Sequence, residues 1–265
     1  MNDEELIGGA ILGKVLIRGK LRLKTGLHIG AQTEAVEIGG LDNPIIKDPA
    51  TGEPYIPGSS FKGKLRSLLE KSINAEQPFD EMGRGEKKYF NKKVGRDVWI
   101  HVCDDYNEAK KCPVCRLFGS SGDTNYPSRV IFRDALLSDE QDLDEIIEIK
   151  YETSIDRITS AANPRPMERV APNTEFDFEV IYNIEDEDDK ETDIKTLINL
   201  MKMLEDDYLG GAGSRGYGKV ELYITEIVKR DREYYLKEGE ERVILSSEEG
   251  ERPEKIAEKI SDGIL

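Results

Sequence analysis

K14-VLIRGKLRL-K24 alternates along its length: Val15, Ile17, Leu21 and Leu23 fall on one side, and Lys14, Arg18, Lys20, Arg22 and Lys24 on the other. A period of two with one apolar side predicts a half-buried strand, with its basic residues along the outer edge. Downstream, P57-GSSFKGKLRSLLE-K71 opens with Pro57 and Gly58 and offers Ser59 as an N-cap. Phe61, Leu65, Leu68 and Leu69 then recur at helical spacing, which predicts an amphipathic helix. Residues 128–137 and 176–184 read as two further strands, and 192–205 as a second helix capped by Thr192 or Asp193, with Ile194, Leu197, Ile198 and Met201 on one stripe. Residues 219–227 alternate again. The order strand, helix, strand, strand, helix, strand predicts an α+β fold, a ferredoxin-like βαββαβ core with an antiparallel sheet and two helices on one face. Insertions fall at 73–127 and 138–173, and residues 231–265 form an acidic C-terminal extension to a single domain over 11–230.

At 265 residues the chain needs no disulfide scaffold. Its three cysteines lie within thirteen residues, and MNDEELIGGA has neither a basic n-region nor a long apolar core, so a reduced, cytoplasmic protein is expected. No apolar run approaches the roughly 20 residues that cross a bilayer, and no membrane partner is expected. A net charge of −16 argues against nucleic acid, because phosphate repels a negative surface. The distribution weakens that argument. Six acids in 138–148 and seven in 184–193 read as solvated loops, whereas residues 58–116 carry 13 bases against 9 acids.

L209-GGAGSRGYGK-V220 contains both G-x-G-x-x-G and G-x-x-x-x-G-K. Each nucleotide motif needs a strand before it and a helix after it, and here the order is reversed. Val220 also stands where a phosphate loop needs Ser or Thr for magnesium. The glycines instead allow backbone N–H groups to approach a phosphodiester, with Arg215 supplying a charged fork; a flexible connector is the alternative.

His101, Cys103, Cys112 and Cys115 follow the pattern H-x-C, eight residues, C-P-x-C. Four such ligands match a tetrahedral structural Zn²⁺ with no open catalytic position. Buried unpaired cysteines are the alternative, and a redox pair fits less well because the motif lacks a βαβ context.

GLHIG (26–30), IGGLDNPIIKDPATGEPYIPGSSFKGKLRSLLE (38–70), CRLFGSSGD (115–123), YETSIDRITSAANPRPMERV (151–170) and LGGAGSRGYGKV (209–220) together resemble the RAMP superfamily. Within it they look most like the repeated backbone subunit of the type III-A CRISPR effector, the Csm complex. The resemblance implies an RRM-like core with a zinc-bearing lid and a thumb hairpin. Copies of such subunits stack along a CRISPR RNA and cut the target RNA paired with it, with Mg²⁺ or Mn²⁺ as the divalent cation. Their other partners are a capping RAMP subunit and a small helical subunit. Carried over by motif, Asp42 of I-G-G-x-D-x-P is the cleavage residue. Ser60, Lys62, Lys64 and Arg66, with Gly213, Ser214, Arg215 and Gly216, line the guide path; His28 lies near RNA and Arg157 near the thumb tip. Lys62 and Arg66, four apart, share a helix face that could meet phosphates. Asp48, in D-P-x-T-G, reads as a turn acid, and a turn role is the alternative for Asp42. Two other functions stand beside this one: a non-catalytic RNA-binding scaffold or filament-capping RAMP subunit, and a RAMP endonuclease that processes precursor RNA by histidine chemistry. The second is poorly served by a chain with only His28 and His101.

Overall fold

The computed structural model describes residues 11–31, 44–76, 89–95, 98–121, 125–138, 142–237 and 239–261. In chain order, β1 (Gly13–Leu23) leads to α1 (Gly58–Glu76), then β2 (Lys92–Val94), β3 (Val98–Ile100), α2 (Tyr106–Lys111) and α3 (Pro113–Phe118). Short strands β4 (Ser120–Ser121), β5 (Asn125–Tyr126), β6 (Val130–Phe132) and β7 (Leu136–Leu137) precede α4 (Leu143–Ile146) and the hairpin β8 (Ile147–Ile155) and β9 (Ala162–Val170). The chain closes with β10 (Glu175–Ile184), α5 (Glu187–Asp206), β11 (Val220–Asp231), α6 (Arg232–Leu236), β12 (Arg242–Glu251) and α7 (Pro253–Ser261).

The main sheet is antiparallel in the order β12-β11-β1-β10-β6, with β7 also pairing β10. β1 is central because its inner residues, Val15, Ile17, Leu21 and Leu23, are wholly buried. Against that face pack Phe61 and Leu65 of α1 and Ile194, Leu197, Ile198, Met201 and Leu204 of α5. Phe61 meets Phe132 and Phe178 edge to face, at 5.3 and 5.8 Å between ring centroids; burying such a ring stabilises the fold by about 1.5–3 kcal/mol. Among the described residues no helix is long and apolar enough to cross a membrane.

Several expectations change. The basic edge of β1 is not a free cationic surface. Arg18 sits between Glu179 (2.8 Å) and Glu226 (2.6 Å), Lys20 and Arg22 meet Glu175, and Lys24 meets Glu221. Cross-strand neighbours of opposite sign neutralise it. The acidic run 184–193 is not a loop: Asp186 caps α5, accepting from the Asp188 N–H, and Glu187, Asp188 and Asp189 occupy its first turn. Negative charge is favoured there by the helix dipole, so the helix begins at Glu187 rather than near 192. Of the other acidic run, residues 143–148 are structured in α4 and the start of β8. The strand expected over 128–137 is split into β6 and β7. At the break, Ala135 and Ile56 exchange backbone bonds at 2.9 Å, and the Asp134 carboxylate accepts from the Gly58 N–H at 2.7 Å, which anchors the start of α1 in place of a Ser59 cap. Residues beyond 230 are more than an acidic tail, since β12 pairs with β11 and α7 packs Ile256 and Ile260 into the core.

Candidate functional site

The glycine loop lies between the end of α5 and the start of β11, the reverse of a nucleotide loop. Its backbone passes through left-handed conformations at Gly210, Ala212, Gly216 and Gly218, with a short 3-10 turn over Gly213–Arg215. Gly218 admits no side chain, because a Cβ there would come within 2.0 Å of the Leu209 carbonyl oxygen. Ser214, Arg215 and Gly216 are exposed at the loop's tip.

Three other elements converge on this loop. His28 accepts the Gly211 N–H on its carbonyl at 2.8 Å, and its Nδ1 donates to the Glu168 carbonyl at 2.8 Å. That bond places the ring proton on Nδ1 and makes Nε2 the acceptor nitrogen of a neutral ring. From α1, the Lys64 ammonium lies 3.8 Å from the centroid of the Tyr208 ring and 3.0 Å from the Asp207 carboxylate. Gly213 packs on the same ring, since a Cβ there would meet Tyr208 Cγ at 2.0 Å. Tyr208 therefore links α1 to the glycine loop. From the β8–β9 hairpin, Glu152 accepts from Tyr217 Oη at 2.8 Å and pairs with Lys150 and Arg215 at 2.9 and 3.8 Å. The Lys150 hydrogen bond first, and then that of Tyr217, hold the Glu152 carboxyl below the usual carboxylate range.

Asp42 lies outside the described residues. The residues that flank its segment are joined: the Ala31 N–H donates to the Pro44 carbonyl at 3.1 Å, and the Ile46 N–H to the Ile29 carbonyl at 2.8 Å. The buried Glu168 carboxylate spends both oxygens here, on the Ile45 N–H (2.8 Å) and the Lys47 ammonium (2.6 Å). Asp48 is a turn acid, accepting from the Ala50 and Thr51 N–H groups. Arg157 is exposed in the turn of the β8–β9 hairpin.

The helix face carrying Lys62 and Arg66 is not open as expected. Lys62 donates to Ser128 Oγ at 2.8 Å, and burial first, then the nearby Arg66 charge, push its ammonium below the ordinary lysine range. Arg66 donates to Glu70, Gly119 and His101. Ser60 lies in the first turn of α1 and is partly exposed. The residues that pattern reading missed are Tyr208, Glu152 and Glu168; the last two stand within quoted motif segments, whereas Tyr208 carried no signal beyond its place before the glycines.

The ligand atoms of His101, Cys103, Cys112 and Cys115 all lie within 4.8 Å of one another. His101 Nε2 is 3.4 Å from both Cys103 Sγ and Cys112 Sγ. A tetrahedral zinc with ordinary bond lengths sets N···S at about 3.5 Å and S···S at about 3.8 Å, so the donor set fits. His101 Nδ1 donates to the Tyr89 carbonyl at 2.8 Å, which frees Nε2 for a metal, and the Tyr89 ring stacks on the imidazole at 4.2 Å. The Cys103 N–H points at Cys115 Sγ, 3.3 Å away. Hydrogen bonding from Cys115 lowers the Cys112 thiol against the effect of burial, whereas burial raises Cys103 and the bond to Cys112 raises Cys115.

A family model described as the RAMP superfamily matches residues 20–221. The chain is 43% identical over 247 residues to the protein named CRISPR system Cms endoribonuclease Csm3 from Methanocaldococcus jannaschii, covering 90% of each chain. Among solved structures, a Csm3–Csm4 subcomplex of the type III-A CRISPR-Cas interference complex is similar at TM-score 0.59 and 31% identity, over 96% of this chain and 98% of that one. Methanopyrus kandleri Csm3 is similar at TM-score 0.65 and 25% identity, with the same coverage.

Proposed function

The chain belongs to the RAMP superfamily, and from that membership we propose that it is the repeated, guide-RNA-binding backbone subunit of a type III-A CRISPR complex that cleaves target RNA paired with the guide. The observation that carries this reading is likeness to an endoribonuclease across nine-tenths of both chains, which leaves little room for a different site. The partners follow: CRISPR RNA, target RNA, further copies of the chain, a capping RAMP subunit and a small helical subunit, in a cytoplasmic complex. On this reading β1, α1, β6, β10, α5 and β11 form the ferredoxin-like, RRM-like core, residues 73–127 the lid and 138–173 the thumb. The strand order β11-β1-β10-β6 supports that assignment.

In this reading the guide backbone runs past Ser60, Lys62, Lys64 and the loop Gly213–Gly216, beside His28, with Arg157 reaching outward on the thumb. Asp42, two residues before Pro44 in sequence, acts on the target strand. RNA supplies its own nucleophile, the 2′-OH next to the scissile phosphate, once a nucleotide leaves helical geometry and that oxygen is in line. Attack of that oxygen on phosphorus expels the 5′-oxygen and leaves a cyclic phosphate; a carboxylate would either remove the hydroxyl proton, worth about 10²- to 10⁴-fold, or hold a divalent cation, Mg²⁺ or Mn²⁺, whose charge would offset that of the phosphorane. His101, Cys103, Cys112 and Cys115 hold a structural Zn²⁺ in the lid.

The test is the assembled complex carrying Asp42→Ala. It should bind target RNA as the unaltered complex does and leave it intact. Undiminished cutting removes Asp42 from the chemistry, and an unaltered complex that binds but never cuts favours the scaffold alternative.

A further inference from the structure

Resting on the zinc reading of the lid, we propose that Arg66 and Glu70 are positioning residues of the metal centre, an i,i+4 pair on α1 that holds the two ligand-bearing segments in chelating register. Arg66 Nη2 donates to the His101 carbonyl at 2.7 Å, and the His101 N–H points to Glu70 Oε1 at 3.3 Å. Both backbone polar groups of one metal ligand are thus engaged from one side, as a neighbouring strand would engage them, but here by two helix side chains.

The same guanidinium reaches the second ligand segment. Arg66 Nη1 donates to the Gly119 carbonyl at 3.0 Å, and Gly119 is the residue that ends α3, its own N–H closing on the Cys115 carbonyl at 2.9 Å. One planar fork therefore spans the extended segment of His101 and Cys103 and the helix that carries Cys115. Arg66 Nε bonds Glu70 Oε1 at 2.9 Å, and Glu70 is only 4% exposed. All three guanidinium nitrogens are committed within the protein. A lysine at this position could match the charge but not the fork. The consequence reverses the sequence expectation: Arg66 serves the metal rather than a phosphate. It also joins the metal centre to the helix whose first turns carry Ser60, Lys62 and Lys64.

The test uses the zinc-loaded full chain and a colorimetric chelator in excess, with Co²⁺ substitution as a spectroscopic report of ligand geometry. Metal-centre partners of this kind change affinity by about 10- to 100-fold, so Arg66→Met should release zinc faster by a factor in that range and shift the Co²⁺ absorption. Arg66→Lys should fall between, and it reads the same quantity should Arg66→Met not fold. Glu70→Ala removes the acceptor shared by Arg66 Nε and the His101 N–H and should also speed zinc release, whereas Lys71→Met, which alters an exposed residue of the same helix, should stay close to the unaltered chain. In the assembled complex, the salt dependence of RNA affinity should not change with Arg66→Met. Zinc release and Co²⁺ spectra indistinguishable from the unaltered chain would overturn the proposal, as would loss of about one unit of salt slope, the mark of a phosphate contact. Absence of metal from the unaltered chain would show first, and would remove the zinc reading itself together with this one.

Discussion

Arg116 and Asp193, 77 residues apart, form a forked ion pair, with Nη2 at 2.7 Å and Nε at 3.1 Å from the same carboxylate oxygen. Arg116 follows Cys115 directly and Asp193 lies on α5, so the pair ties the cysteine-bearing insertion to the core. Asp193 is 1% exposed and also receives Tyr182 Oη at 2.9 Å and Arg129 Nη1 at 3.2 Å. Arg129, itself buried, is further held by Asp189 and Glu185. The charges approach balance only as a group, which makes each member hard to remove singly.

Asp193→Ala should therefore destabilise the chain by about 1–3 kcal/mol, because it removes the carboxylate that two buried guanidinium groups share, while Asp189 and Glu185 still hold Arg129 and Asp189 stays 3.5 Å from Arg116. Asp193→Asn keeps an acceptor and should cost less. Urea denaturation of the isolated chain measures both, and a loss near that of an exposed acid would contradict the network.

Two glycines should respond in opposite directions. Gly63, inside α1, has open space where a Cβ would go, so Gly63→Ala should stabilise by about 0.5–1 kcal/mol through helix propensity alone. Gly218 has φ of 75° and no room beside Leu209, so Gly218→Ala should destabilise by at least about 1–3 kcal/mol and distort the loop that receives His28. Thermal unfolding of the two variants decides the matter, and equal shifts would count against this loop geometry.

The strands and helices of the core were legible because alternation and the 3.6-residue stripe are local signals: Val15, Ile17 and Leu21, or Ile194, Leu197 and Met201, need no distant partner to be read. The start of α5 was not, since a run of acids looks the same whether it is a solvated loop or the negative first turn of a helix. Nor was the burial of Asp193, whose arginine partners lie 77 and 64 residues away in the chain. The clustering of His101, Cys103, Cys112 and Cys115 was legible from their own spacing. The contacts of Arg66 were hidden for the opposite reason: helical geometry predicted which face it occupies but not that the insertion folds back onto that face. Tyr208 was missed because nothing local marks an aromatic ring as the contact between a lysine and a glycine.

Metal content gives a direct check on the lid. Gently purified chain should hold about one zinc per molecule. A large hydrophobic core lies outside the cluster, so chelation should loosen the lid without unfolding the whole. Hydrogen exchange before and after chelation should show faster exchange confined to residues 98–121, with β1, β10 and β11 still protected. Protein that carries no zinc, or a chain that unfolds globally on chelation, would contradict this division.

Lys62 offers a trade between stability and binding. Its ammonium is half-buried, disfavoured by desolvation and by Arg66, and donates to the Ser128 hydroxyl. Because its folded pKa is depressed, the charged form costs stability at all pH values below it, and that cost fades as pH rises from the folded value toward the ordinary 10.5. Lys62→Met should therefore be at least as stable as the unaltered chain at neutral pH, with the difference shrinking toward pH 10.5. A phosphate beside the ammonium would offset the same cost, so the assembled complex with Lys62→Met should bind RNA more weakly and lose about one unit of salt slope. Denaturation across pH and binding across salt read the two halves separately. An unchanged salt slope would place Lys62 off the RNA path, and a marked loss of stability at neutral pH would mean that its bond to Ser128 outweighs the cost of burying the charge.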